Sequence, residues 1–190
     1  MPLSPPEILF LDSLETPAGV MLVVADEHDR LRALDWSDYE ARMHRLLRLH
    51  YGRQEVGFRL DRRRAPRSLR EPLLAYFRGG FAALDTIPVR TGGTPFQREV
   101  WAALRAIPAG STVSYGVLAA RLGRPRAVRA VGLANGANPV GVVVPCHRVI
   151  GANAALTGYG GGLHRKRWLL QHEGAELRLE PERPPDTRAA

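Results

Sequence analysis

Val140-Gly141-Val142-Val143-Val144-Pro145-Cys146-His147-Arg148-Val149-Ile150 is the stretch on which the reading of this 190-residue chain turns. An apolar, β-branched run leads into a proline and then into the chain's single cysteine. Such a run, ending at a residue that cannot donate a ladder hydrogen bond, predicts a buried strand that stops abruptly. The next side chain is a thiol and the one after it an imidazole. A thiol is a strong nucleophile only as the thiolate, and a neighbouring base or positive charge lowers its pKa. The same residues also suit a buried cysteine acting as a small hydrophobe. The dipeptide alone does not choose between the two.

Composition narrows the field. With 190 residues, 45 % of them hydrophobic and 24 % charged, the chain reads as a soluble globular protein of one large or two small domains. Its net charge is +8, and because Lys166 is the only lysine the basicity is almost all arginine. That balance fits a polyanionic partner, since phosphate neutralisation supplies much of nucleic-acid affinity. A single cysteine rules out an intrachain disulfide and a multi-cysteine zinc site. His28, His44, His50, His147, His164 and His172 show no HExxH spacing, so neither a metal nor another cofactor is expected. Asp12 and Glu15 interrupt any N-terminal apolar region, and no transmembrane span is expected. The expectation is an intracellular, cytoplasmic protein.

Outward from the cysteine, the N-terminal half reads as three short strands, 8–14, 19–25 and 31–36, in an antiparallel meander. Ser37 and Glu40 predict a capping box for a helix carrying Tyr39, Met43, Leu46 and Leu47 and ending near Gly52. Arg62-Arg63-Arg64 reads as solvated loop. A second helix is predicted over 66–78, with Leu69, Leu73, Leu74 and Phe77 on one face and Gly79-Gly80 as the stop. No chemistry is visible in this half, and its expected role is structural.

Arg90-Thr91-Gly92-Gly93 reads as a linker. Thr94 and Gln97 predict a capping box with Pro95 at the first helical position, for a helix with Phe96, Val100, Trp101, Leu104 and Ile107 on its apolar face. Ser114 can cap a short helix holding Val117, Leu118 and Leu122, Gly123 breaks it, and a further helix is predicted from 125 to 135. Two short helices about a glycine turn suggest a helix-turn-helix. The later helix combines small residues (Ala127, Ala130, Val131, Gly132, Ala134) with Arg124, Arg126 and Arg129. That surface suits close approach to a phosphate-rich partner, and equally a helix packed in a core with solvated arginines. After the cysteine comes a glycine-rich loop, 151–162, carrying Tyr159, whose bare backbone could reach a ligand closely. A last helix, 163–172, runs into Glu173-Gly174, and the proline- and charge-rich end, 176–190, is expected to be a disordered tail.

Several of these segments, in this order, resemble the O6-alkylguanine-DNA alkyltransferases, or methylated-DNA–protein-cysteine methyltransferases. They are Ser114-Tyr115, Arg129-Ala130-Val131-Gly132, Asn138-Pro139, Pro145-Cys146-His147-Arg148-Val149, Tyr159-Gly160-Gly161 and His172-Glu173-Gly174. The resemblance covers essentially the whole chain. It implies an α+β protein with a ribonuclease-H-like N-terminal α/β domain holding a short antiparallel sheet (1–90). A winged-helix-like, helix-turn-helix DNA-binding domain with the reactive cysteine (91–175) would follow. By position, Cys146 is the implied alkyl acceptor, His147 its base acting through a water, Glu173 the residue that orients the imidazole, and Tyr115 the proton donor to the leaving guanine. The implied partner is double-stranded DNA containing O6-alkylguanine, bound through the minor groove by a monomer. Arg129 would fill the stack vacated by the flipped base, on a helix whose close approach Ala127, Ala130 and Gly132 permit, with Arg124 and Arg126 on phosphates. Asn138 is the implied brace of the turn. Cys146, Val149, Tyr159 and Gly160 would surround the base, Gly160 standing where many relatives carry serine.

Three other classes remain at this point. A lesion-binding relative that transfers nothing would have lost the cysteine, which is present. A cysteine hydrolase leaves the arginine-bearing helix unexplained, and a helix-turn-helix transcription factor leaves Cys146 without a role.

Overall fold

The computed structural model describes residues 7–52 and 57–176; the expected tail therefore lies almost wholly outside the described residues. The fold is mixed α+β. Its main sheet has the order β3-β2-β1-β4, from β1 (Glu7–Thr16), β2 (Gly19–Asp26), β3 (Leu31–Trp36) and β4 (Phe58–Arg62). The first three form the antiparallel meander that their alternation and turns predict. The fourth pairs parallel to β1 and was not foreseen. Phe58-Arg59-Leu60-Asp61-Arg62 is a short edge strand whose charges resemble a loop, and charged side chains are a common protection of sheet edges. Arg62 is thus in a strand rather than a solvated loop, and Arg63 lies over the Phe10 ring at 4.5 Å.

Strand β2 is buried on both faces. Leu22 and Val24 point to one side, where α1 (Glu40–Tyr51) covers them with Met43, Leu47 and Tyr51. The predicted Ser37–Glu40 capping box does not form. Residues 37–39 make a 3-10 turn straight off β3, and α1 starts after it without a side-chain cap. Met21, Val23 and Ala25 face the opposite side and join a larger core. α2 (Arg67–Phe77), entered at Pro66 and closed at Gly79 with φ 93°, buries Leu69, Leu73, Tyr76 and Phe77 there. Leu74, expected on that face, is only half-buried, and Tyr76 takes its place. This core continues into Val100, Trp101, Leu104, Val131, Cys146 and Leu169, so side chains from both sides of residue 90 share it.

In the C-terminal half the predicted Thr94–Gln97 capping box is present in both directions at the start of α3 (Pro95–Arg105). Ser114 caps α4 (Tyr115–Arg121) by accepting from Val117 N at 3.1 Å, and Gly123, φ 69°, ends the turn after it. α5 (Val128–Gly136) starts three residues later than predicted. The segment 124–127 closes instead as a turn, with Ala127 N donating to Arg124 O, which leaves Arg124, Arg126 and Ala127 ahead of the helix. β5 (Val113–Ser114) and β6 (Val149–Ile150) pair parallel, and α6 (Leu163–His172) has the predicted bounds. No helix among the described residues is long and apolar enough to cross a membrane.

Residues 140–144 are not a strand. Only Val140 makes a bridge, to Leu34 of β3, and the chain then coils tightly, with Val144 N donating to Val140 O and Val143 N to Gly141 O. Val142 sits at φ 67°, a conformation costly for a β-branched residue. Burial accounts for the composition: all four valines are at most 3 % exposed, but in a turn packed on all sides rather than in a ladder.

Candidate active site

Asn138 builds the turn that carries the cysteine. Its Oδ1 accepts from Val140 N at 3.0 Å and its Nδ2 donates to Val144 O at 2.8 Å, so one buried side chain closes both ends of the coil. β3 anchors the same coil, because Leu34 N donates to Pro139 O and Gly141 N to Leu34 O. Pro145 then leads into a single 3-10 turn, Cys146–Arg148, and β6 departs to pair with β5. That pairing brings Tyr115, the first residue of α4, to the same region. Cys146 is 5 % exposed. Burial pushes its thiol up, against the hydrogen bond from Asn138, so the resting side chain is a neutral thiol that needs a base to become a nucleophile.

Beside it lies a buried ionic cluster. His147 Nε2 is 2.8 Å from Glu173 Oε1, and Arg148 grips the same carboxylate through Nε to Oε2 and Nη2 to Oε1, both at 2.8 Å. Arg148 Nη1 also donates to Ile107 O, and Tyr76 Oη donates to Glu173 Oε1 at 2.7 Å. Although burial opposes it, hydrogen bonds from His147 and Arg148 hold the Glu173 carboxyl well below the usual range. Burial pushes His147 the other way, toward the neutral form, against the pull of Glu173. Arg148 already balances the carboxylate, so the pair is a neutral imidazole donating to an anion. A carboxylate can only accept, which fixes the ring proton on Nε2. Nδ1 is then an unprotonated acceptor, and it is buried without a partner among the described residues.

The loop after the cysteine is tied down by Lys166, whose Nζ donates to Val149 O at 2.6 Å and Thr157 O at 2.7 Å and whose pKa burial lowers to about 8. Val149 is buried, with its main-chain N–H on Cys146 O and its carbonyl on Lys166. Tyr159 lies with its ring centroid 6.4 Å from that of His147. Tyr115 is half-buried, accepts from Asn135 Nδ2 at 3.4 Å, and is pushed up by burial and by the nearby thiol, so it stays protonated. A small cavity at Cys146 is lined by Asp35, Trp36 and Arg42 from the N-terminal half and by Asn138, Tyr159 and Gly160 from the C-terminal half.

Arg42 explains the glycine at 160. Its guanidinium bonds Asp35 Oδ2 at 2.6 Å, Gly136 O at 3.1 Å and Asn138 O at 3.2 Å, and a Cβ on residue 160 would lie 2.5 Å from its Nε and Nη2. Arginine can swing away, but it then abandons Asp35, which is 3 % exposed. Gly160→Ser should therefore destabilise the protein by about 2 kcal/mol through that stranded carboxylate. Denaturant unfolding measures this. In an Arg42→Ala background, adding Gly160→Ser should cost much less.

The residues assigned to DNA divide into two groups. Arg126, Arg129 and Ala130 are exposed, and Arg126 and Arg129 make no hydrogen bond or ion pair among the described residues. Leu133, 70 % exposed, and Val128 extend this face with apolar surface. Arg124 is exposed but pairs with Glu99 at 2.5 Å and lies over Phe96, while Ala127 is half-buried on the turn. Gly132 is half-buried, and a Cβ there would meet the Tyr115 ring only at an ordinary contact distance of 3.9 Å, so it lies on α5 between that ring and the exposed face. Sequence reasoning gave no role to Arg148, Lys166, Arg42 or Tyr76. Lys166 did carry a signal, being the one lysine in an arginine-rich chain.

Known proteins resemble this chain over most of its length. The profile of the family described as 6-O-methylguanine DNA methyltransferase, DNA binding domain, matches residues 95–175. A methylated-DNA–protein-cysteine methyltransferase of Salmonella typhimurium is 55 % identical over 166 residues, 87 % of this chain and 96 % of that one. The crystal structure of Mycobacterium tuberculosis O6-methylguanine methyltransferase superposes with a TM-score of 0.68 at 37 % identity, covering 87 % of this chain and 93 % of that one. The Mycobacterium tuberculosis protein in complex with DNA gives 0.69 at 37 % identity over 88 % and 92 %. With that identity extending over nearly the whole of the Salmonella protein, the chain belongs to the methylated-DNA–protein-cysteine methyltransferase family.

Proposed function

We propose that the chain repairs O6-alkylguanine, chiefly O6-methylguanine, in double-stranded DNA by moving the alkyl group to Cys146 in a single irreversible step. The observation that carries this reading is the buried His147, with Nε2 committed to Glu173 and Nδ1 free, next to the only cysteine. Nδ1 takes the thiol proton through a water as Sγ attacks the alkyl carbon. The carbon–O6 bond breaks, its electron pair goes to the guanine, and Tyr115 protonates the ring. Tyr115 recovers a proton through His147 and solvent, so the thiol proton ends on guanine and the reaction is neutral overall. A thiol kept protonated at rest is inert until the lesion arrives.

A base inside a duplex cannot reach a thiol that is 5 % exposed, so it must be flipped out. The exposed face of α5 is the surface for this, entering the minor groove with Arg129 in the vacated stack and Arg124 and Arg126 on phosphates. DNA bound to the Mycobacterium tuberculosis relative supports the choice of partner. The pair α4–α5 with β5–β6 behind it supports a winged-helix-like domain over 91–175. The antiparallel β3-β2-β1 with β4 parallel beside β1 supports a ribonuclease-H-like domain over 1–90. We take the protein to act as a monomer in the cytoplasm.

Mass spectrometry after mixing with methylated duplex tests the central claim: one methyl on the Cys146 peptide is expected, and an unmodified protein with demethylated DNA refutes it. Duplex affinity should also fall with salt. Arg124 and Arg126 alone predict a log–log slope of about −2, with Arg126→Ala reducing it by about one. Salt-independent binding would contradict the assignment of this face.

A further inference from the structure

We propose that Tyr76, from the half of the chain that carries neither the thiol nor its base, is a positioning residue for alkyl transfer: its hydroxyl holds Glu173 Oε1 against His147 Nε2 and tempers the carboxylate's charge, which keeps His147 neutral with Nδ1 available. The inference rests on the reading of His147 as the base.

Tyr76 is fully buried on α2, and its hydroxyl crosses to Glu173 Oε1 at 2.7 Å, the oxygen that also receives His147 Nε2 and Arg148 Nη2. Three donors on one oxygen compete for its charge. His172 fixes the tyrosine from the other side, with ring centroids 5.3 Å apart and Nε2 2.9 Å from Tyr76 O. Burial and Glu173 push the phenol far up, so it remains a donor at every working pH. The groups facing His147 are Cys146 and Arg148 on its own turn, Glu173 and Lys166 from the α6 region, and Tyr159 from the loop. Arg148 and Lys166 disfavour the imidazolium and Glu173 favours it. A donor on Glu173 weakens the one group that would charge the ring.

The sign of the effect follows. Without the Tyr76 hydroxyl, Glu173 is more strongly basic, the imidazolium is better stabilised, and His147 takes up its proton at higher pH. Single-turnover transfer from a methylated duplex is measured across about pH 5 to 8, where histidine titrates. Tyr76→Phe leaves Oε1 still bonded by two donors, so no buried acceptor is stranded. Its acid midpoint should move up by about 0.5–1 pH unit with the alkaline plateau largely kept. Replacing Tyr76 by 3-fluorotyrosine, a stronger donor of nearly the same shape, should move the midpoint down, and it decides the matter if the phenylalanine variant does not fold. A rate lowered by one factor at every pH, or midpoints unmoved in the folded variants, overturns the proposal. Glu173→Gln separates the two levels. If that variant keeps the wild-type rate and profile, the assignment of His147 as base is what fails. If it alters them and the Tyr76 variants do not, only the role of Tyr76 fails.

Discussion

Cys146→Ser should lose alkyl transfer completely and still bind the lesion, and the wild-type protein should react once per molecule. Serine keeps the shape of the site but replaces the thiol with an alcohol, a much weaker nucleophile toward an alkyl carbon. Resting Cys146 is itself held above its ordinary pKa by burial, so the reaction already depends on proton removal concerted with attack. The product is a thioether. Its sulfur is a poor leaving group, and a neutral thioether carbon is not attacked by a water that His147 could activate at working pH. A quench-flow trace should therefore show a burst equal to the protein present and no steady state. Repeated turnover would point to hydrolysis and against a thioether. Lesion affinity should survive in Cys146→Ser, because the exposed face of α5 and the loop at Tyr159 are untouched.

The helices and the meander were legible because they rest on local rules. The Thr94–Gln97 box, the Ser114 cap and the glycine stop at 123 each need only neighbours in sequence. The run 140–144 misled for a physical reason. β-branched residues report burial as much as extension, and here Asn138 and Leu34 fold a buried segment into a turn that no period of two or 3.6 describes. β4 hid behind its charges. Within the site, Cys146 and His147 stood out as a thiol beside an imidazole and Glu173 entered through a resemblance, whereas Arg148, Lys166, Arg42 and Tyr76 act through partners 7 to 97 residues away. Tyr76 looks like any aromatic on the apolar face of a helix until Glu173 is seen beyond it. The N-terminal half, silent in sequence, reaches the cavity at Cys146 with Arg42 and the buried carboxylate with Tyr76.

Arg129→Ala should slow transfer from duplex DNA by about ten- to a hundredfold, equivalent to ~1.4–2.8 kcal/mol of barrier, and leave the reaction with free O6-benzylguanine nearly unchanged. Extruding a base from a duplex costs a few kcal/mol and much less where the base is unpaired, so a residue that fills the gap matters only to substrates that must be unstacked. The structure makes the test clean. Arg129 is exposed in the first turn of α5 and makes no hydrogen bond or ion pair among the described residues, so its removal takes no such bond from the folded state. Alanine also favours helix slightly more than arginine, and the unfolding transition should stay in place. Arg129→Lys keeps the charge without the planar, stacking guanidinium, and we expect only partial rescue. Full rescue by lysine would reduce the role to attraction by phosphate. Equal losses on duplex and free base would move Arg129 out of flipping and into the chemistry, although it is Gly132, three residues on, and not Arg129 that faces Tyr115.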